Sequence, residues 1–446
     1  MKNSRILTKF FLGYALFLIG LTSCQRDKPG PDQPISVEIH EENGQFQLYR
    51  GGEPIFIKGA RTLGTRYMEK VTVYGGNSVR IGYGDGVQEV LDKAHELGLS
   101  VLVGLPVRAE RDGFDYSDEE AVAAQFERVK EIVQTYKNHP AVLMWVIGNE
   151  LDHIPGNLPY DLNLWDAVND IARMIQETDP HHPAMTVIGT GMPEKLADLM
   201  ERAPDLDLLG INAYADLVDV PEWLDKYGWD KPFAVTEWGP SGHWEVRRTE
   251  WGAVIEETST EKGELYKQRY RDIIEADHRS VGSYAFLWTS NRMERTHTWY
   301  NIFHDDGSEK AAVEVMRYLW TGEWPENRAP RIEAVTINGL NAFDSIILEE
   351  GQIYAAKVEA SDPDGDPLHV EWELLPELDE FAAYAGQGET KPDSIEDFIV
   401  SAGEIEKEIE FRVPTEPDRT YRLFVYVYDG QGNVGVANIP FYLRPE

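Results

Sequence analysis

Cysteine is almost missing from this chain of 446 residues, with Cys24 the single example. One thiol closes no disulfide within the chain and, placed so near the start, offers no thiol catalysis to a folded domain. Basic residues are scarce too: 42 Lys and Arg stand against 78 Asp and Glu, a formal net charge of −36. A surface of that sign repels nucleic acid and acidic polysaccharides, so a neutral ligand is the better match. No Gly-rich phosphate loop follows the first strand and no nicotinamide, flavin or nucleotide motif is present, so no cofactor is expected. The apolar run from Phe10 to Gly20 is too short to span a bilayer. What remains is a hydrophobic content of 42%, ordinary for a globular protein, and length enough for a barrel with one smaller domain.

The first 23 residues place Lys2, Arg5 and Lys9 ahead of that apolar run, the layout of an export signal. Leu21-Thr22-Ser23-Cys24 resembles a bacterial lipobox. The resemblance implies cleavage before Cys24, lipidation of its thiol, and a chain held to a membrane of the bacterial cell envelope rather than spanning it. Residues 24 to 34 are polar and Pro-rich, a tether between anchor and fold.

From residue 35 to 322 strand and helix patterns alternate. A hairpin with Asn43-Gly44 at its turn comes first and is expected to close the bottom of this domain. Eight apolar runs then read as strands: 54–59, 78–83, 99–107, 141–148, 184–189, 206–214, 233–237 and 281–288. Amphipathic stretches separate them, the clearest being 118–137, for which Ser117 and Glu120 predict a capping box. Eight strands alternating with helices predict a (β/α)8 TIM barrel; an open doubly wound sheet would also alternate. Residues 323 to 328 read as a linker. From 329 to 446 about seven short alternating strands predict an all-β immunoglobulin-like sandwich, expected to act as a spacer. Asp362, Asp364 and Asp366 lie in a turn between two of these strands; a solvated turn is expected there rather than a calcium site. Metal binding by His181 and His182 is not expected, because no third ligand stands at a suitable spacing.

Two runs end abnormally. AVLMWVIG (141–148) stops at Asn149 and Glu150, and FAVTE (233–237) ends on Glu237. An apolar run without alternation is a strand covered on both faces, and in a barrel the chemistry sits where such strands end. A carboxyl pair placed there supplies a proton for a leaving oxygen and a partner for an oxocarbenium ion, the needs of glycoside hydrolysis.

NHPAVLMWVIGNE (138–150) and KPFAVTEWG (231–239) resemble the two signatures of the retaining β-glycosidases of clan A, above all the catalytic barrel of glycoside hydrolase family 2. YRGGEPIFIKGA (49–60), GGNSVRIG (75–82) and TDPHHPAM (178–185) extend the resemblance over most of residues 50 to 322. It implies Glu150 as acid and base, Glu237 as nucleophile, and Asn149 as donor to the sugar hydroxyl beside the anomeric carbon. It further implies Arg80 and Tyr214 as groups that orient Glu237, with Trp288 as the aromatic platform under the sugar. Trp238, His243, Trp244, Glu294, His297 and Trp299 crowd the loops after the seventh and eighth strands as candidate subsite walls. Family members usually carry two β-domains ahead of the barrel, so the expected substrate is a neutral β-linked glucan, with a β-1,3 linkage as first choice, and the expected state a monomer. A transglycosylase on the same site, or a carbohydrate-binding lipoprotein without turnover, are the other readings.

Overall fold

The computed structural model describes residues 33–153, 160–191, 194–378, 390–403, 405–416 and 419–444. The export segment, Cys24 and most of the tether lie outside them. The chain opens with strands β1 (Val37–Glu42) and β2 (Gln45–Arg50) and a short third, β3 (Glu53–Ile55), in one antiparallel sheet. Asn43 and Gly44, both with positive φ, make the turn between the first two. Val37 and Leu48 from this sheet are buried against Ile57, Leu143, Met144, Met185 and Leu208. The Val37 amide donates to the His181 carbonyl and Phe46 to that of His278, just ahead of two barrel strands. The hairpin therefore caps the N-terminal end of the barrel.

The barrel is a closed ring of eight parallel strands: β4 (Ile57–Thr62), β5 (Ser78–Ile81), β6 (Ser100–Leu105), β7 (Val142–Ile147), β8 (Ala184–Gly189), β9 (Leu208–Asn212), β10 (Phe233–Trp238) and β11 (Ser280–Trp288). The first of these begins three residues later than the apolar pattern suggests. Pro54 and Ile55 pair with β2 instead, so a run that reads as one strand is divided between the cap and the barrel.

Every residue of β7 is buried because its two faces serve two cores. Leu143 and Val146 fill the barrel, while Val142, Trp145 and Ile147 pack under the helices. Those helices are α1 (Met68–Val73), α2 (Val87–Leu97), α3 (Glu119–Tyr136), α4 (Asn163–Thr178), α5 (Lys195–Arg202), α6 (Val220–Tyr227), α7 (Ser259–Arg269) and α8 (Ala311–Thr321). Asp118, not Ser117, caps α3: its carboxylate accepts the Glu120 and Ala121 amides, whereas the Ser117 hydroxyl is taken by Asp115. Among the described residues no helix is long and apolar enough to cross a membrane.

After α8 two four-stranded sheets form the sandwich. One runs β12 (Arg331–Ile337), β14 (Ile353–Ser361), β17 (Glu408–Arg412), β16 (Ile399–Ala402) across the sheet. The other runs β13 (Ile347–Glu349), β19 (Val434–Arg444), β18 (Arg419–Tyr428), β15 (His369–Pro376). Between them lies a core of Ile337, Val358, Leu374, Phe411, Leu423 and Ile439. In the acidic turn, Asp362 accepts the amides of Asp364 and Asp366. Asp179 binds His182 Nδ1 and Trp145 Nε1, a buried structural cluster.

Gly282 in β11 has φ +119, and a Cβ there would lie 2.3 Å from the Ile57 carbonyl oxygen of β4. Gly282→Ala is expected to destabilise the barrel by about 3 kcal/mol or more, since backbone cannot yield as a side chain can. Gly84→Ala, with nothing within 4 Å of its Cβ, is expected to stay within about 0.5 kcal/mol in the same urea titration.

Candidate active site

The mouth of the barrel is built from strand ends. β7 finishes through Gly148, φ +71, and Glu150 itself holds a left-handed backbone at φ +48. A glutamate keeps that conformation only where surrounding bonds enforce it. Here the Glu150 amide donates to the Val187 carbonyl at 2.8 Å. Arg111, in the loop after β6, donates to the carbonyls of Asn149 (3.1 Å), Glu150 and His153 (3.2 Å). The turn that aims Glu150 is thus clamped by a residue from the neighbouring strand's loop.

Glu237 enters from β10. Its Oε1 accepts Arg80 Nη1 at 2.6 Å, and its Oε2 accepts the Tyr214 hydroxyl at 3.3 Å. The second arm of Arg80 donates to Asn149 Oδ1 at 2.6 Å. Asn212, at the end of β9, donates from its Nδ2 to Glu150 Oε1 at 2.8 Å and to the same Asn149 oxygen at 3.1 Å. The hydroxyl of Thr236 fixes the amide by donating to Asn212 Oδ1 at 2.8 Å. One amide oxygen of Asn149 is therefore the junction between the two carboxylates. Side chains from β5, β9, β10 and the end of β7 meet there.

Electrostatics acts strongly on Glu150. Burial, and then the charge of Glu237, push the Glu150 carboxyl up to about 7, with the Asn212 bond acting the other way. Burial, with Glu237 next, raises the Tyr214 phenol well above its ordinary 10, so it stays a donor. Burial, then Arg295 and Arg248, bring His243 down to about 4 and leave its ring neutral at pH 7.

Beside Glu237 stands an aromatic wall. Tyr214 meets Tyr300 at 5.4 Å, Phe286 at 6.0 Å and the exposed Trp244 at 5.5 Å between ring centroids. Trp299 is buried behind it, its indole donating to the Ser241 carbonyl at 2.9 Å with the His243 ring edge-on at 6.2 Å. Glu245 ties the loops after β9 and β10 by accepting the amides of Ala215, Asp216 and Gly242.

Arg80, Asn149, Glu150, Tyr214 and Glu237 are thus gathered in one hydrogen-bonded network, with His243 and Trp299 at its rim. Other candidates lie elsewhere. Trp288 faces the helix layer, its Nε1 donating to the Tyr67 carbonyl at 3.1 Å and its ring packed on Phe303 and Trp320. Phe286, two residues earlier in β11, takes the wall position. Trp238 lies under Tyr266 and Tyr270, because a residue next to the inward-facing Glu237 must face outward. Glu294 neighbours the wall closely enough to raise the Tyr300 phenol, after burial itself. His297 turns away to the sandwich, 2.7 Å from the Tyr426 hydroxyl. Asn212 and Arg111 are site residues that sequence reasoning misses. Asn212 is two positions before Tyr214 in INAY, the same parity on a strand; the turn around Arg111 carries no comparable signal.

A closed eight-stranded parallel barrel that carries a glutamate behind its fourth strand and another on its seventh, linked through Asn149 by an arginine from the second, has the carboxyl pair that glycoside hydrolysis requires. More particularly, residues 85–240 match the TIM barrel domain of the glycosyl hydrolases family 2. Curated relatives include β-glucuronidases of Streptococcus agalactiae, 24% identical over 267 residues, and of Paenibacillus borealis, 23% identical over 276 residues. The matches cover 48% and 56% of this chain and 42% and 44% of the relatives, so the chain spans less than half of either. The crystal structure of a Bacteroides uniformis β-glucuronidase superposes with a TM-score of 0.52 over 92% of this chain and 48% of its own, at 14% identity. At that identity the likeness is one of fold.

Removing Arg80 leaves Glu237 without its cation in a mostly buried position. Arg80→Met is expected to lower stability by about 3 kcal/mol, and Arg80→Met with Glu237→Gln to recover at least half of that in a denaturant titration.

Proposed function

We propose that the chain hydrolyses β-glycosidic bonds with retention of configuration, and the observation that carries this is the asymmetry of its two carboxylates. Glu150 has the raised carboxyl and holds a proton near neutrality; it serves as the acid for the leaving oxygen. Glu237 has each oxygen engaged by a different donor, Arg80 and Tyr214, the posture of a nucleophile rather than of a base holding water. Once Glu237 is esterified its charge is gone, the Coulombic push on Glu150 disappears, and Glu150, having given up its proton, stays ionised, the form that takes a proton from the water that releases the sugar. The Asn149 oxygen is consumed by Arg80 and Asn212, which leaves its amide hydrogens for the hydroxyl beside the anomeric carbon. Tyr300, Phe286 and Trp244 form the wall against which the sugar lies. No cofactor enters this scheme.

For the sugar, a neutral β-glucan, β-1,3-linked as first choice, is supported by the acidic surroundings of the wall, with Glu294 and Glu245 close by, and by the net charge of −36. A β-glucuronide is the second reading, favoured by the activity named for the two relatives. Transfer to another sugar would use the same residues with a hydroxyl in place of water. The lipobox-like Cys24 supports a lipid anchor at the bacterial cell envelope.

The form beginning at Gln25 is expected to release reducing ends from a neutral β-glucan and to leave aryl β-glucuronides untouched; the reverse pattern would replace the first sugar with the second. Glu237→Gln is expected to cut kcat by at least about 10³-fold, and activity on neither class, with polymer binding retained in a pull-down, would sink the hydrolase reading. Because the acid must carry its proton, kcat/KM is expected to fall as pH rises through about 7. Asn212→Ala removes a bond that lowers the Glu150 carboxyl, so this alkaline limb is expected to move upward in pH.

A further inference from the structure

Behind the aromatic wall lies a buried polar node that the chemistry itself does not touch. Glu256, 7% exposed, sits where the barrel meets the sandwich. Its Oε1 accepts Lys262 Nζ at 2.5 Å and the Thr298 hydroxyl at 2.9 Å. Its Oε2 accepts the Thr296 hydroxyl and Asn438 Nδ2, both at 2.7 Å. Lys262 also donates to the carbonyls of Thr298 (3.0 Å) and Trp299 (2.8 Å). One carboxylate thereby gathers the 294–301 loop on one side and β19 of the sandwich on the other.

The sandwich side is itself braced. Arg422 of β18, 2% exposed, donates to Asn438 Oδ1 at 2.6 Å and to the Val254 carbonyl at 2.8 Å, and pairs with Glu377 at 2.6 and 2.9 Å. His297 in the same loop meets the Tyr426 hydroxyl, and Lys310 holds the Asn301 carbonyl at 2.7 Å. The loop so held ends in Trp299 and Tyr300, and Tyr300 packs on Tyr214, the donor to Glu237.

We propose that the C-terminal sandwich is a working part of the active site, with Asn438 and Glu256 as positioning residues that act through Tyr300 and Tyr214 on Glu237. This rests on Glu237 being the nucleophile. A carboxylate with four donors has no freedom to reorient, so the loop it carries has one position; remove the donor from the sandwich and the wall loosens without losing its residues. A spacer domain would leave the chemistry indifferent to such a change.

The test uses the full chain and the near-isosteric Asn438→Leu. With an aryl β-glycoside that the wild type cleaves, kcat is expected to fall about tenfold while KM stays within about twofold. In a Tyr214→Phe background the same change is expected to lower kcat by less than about twofold, because the group it acts through has gone. Fully additive losses, or a kcat that does not move, would overturn the proposal. Hydrogen exchange reads the same point without activity: amides of 294–301 are expected to exchange faster in Asn438→Leu while those of β5 to β7 do not change. Unchanged exchange at 294–301 would overturn it too, whereas a wild type that cleaves no glycoside at all counts against the proposed function alone. If Asn438→Leu fails to fold, Asn438→Ser, too short to reach Glu256, takes its place.

Discussion

Two carboxylates held near one another in a half-buried mouth repel, and the site is held together by Arg80, which pairs with Glu237 and reaches Glu150 only through Asn149 and Asn212. Its guanidinium, 5% exposed, gives one arm to Glu237 and the other to Asn149. The fork matters as much as the charge, since a Lys ammonium would neutralise Glu237 without fixing the Asn149 plane. A third bond, to the Thr236 carbonyl at 2.9 Å, helps offset the desolvation of the arginine. From this follow the orientation of Asn149 and the reach of Asn212 to both Asn149 and Glu150.

The barrel is what makes such a meeting possible. Arg80, Asn149, the Asn212 and Tyr214 pair, and Glu237 come from separate stretches of the chain, and each stands within two residues of the C-terminal end of a parallel strand. Their positions are set by strand register, which a closed ring cannot slip without moving every apolar residue to the wrong core. The left-handed backbone at Glu150 has the same origin. Packing of the strands and the Arg111 clamp hold a conformation that the residue alone would leave.

Much of this is legible in the sequence, because the signal is a break in a pattern. Apolar runs that end in Asn-Glu and in Glu announce strand ends with a task, and the strand count assigns them to positions four and seven. Where sequence and structure part, the cause is parity or competition. Trp288 and Trp238 invite a place in the site by their chemistry, yet alternation on β10 turns Trp238 to the helix layer, and on β11 an irregularity between Ala285 and Trp288 breaks the alternation, so that Phe286 lines the wall while Trp288 packs under the helices. The apolar pattern starts the first barrel strand too early because Pro54 and Ile55 are as apolar as strand residues but pair with the cap. Asp118 displaces Ser117 as the cap of α3 because Asp115 holds the Ser117 hydroxyl. The docking of the sandwich leaves no trace in composition: Glu256, Asn438 and Arg422 are ordinary polar residues until the fold brings them together.

The hairpin sheet under the barrel has a consequence for traffic. Val37 and Leu48, fully or almost fully buried, seal the N-terminal end against the interior side chains of the strands. The ring behind that sheet is itself filled by side chains, so nothing passes through it and the carboxylates are reached from the opposite rim. A ligand enters and leaves on that one side, and the loops after the strands shape its path in both directions.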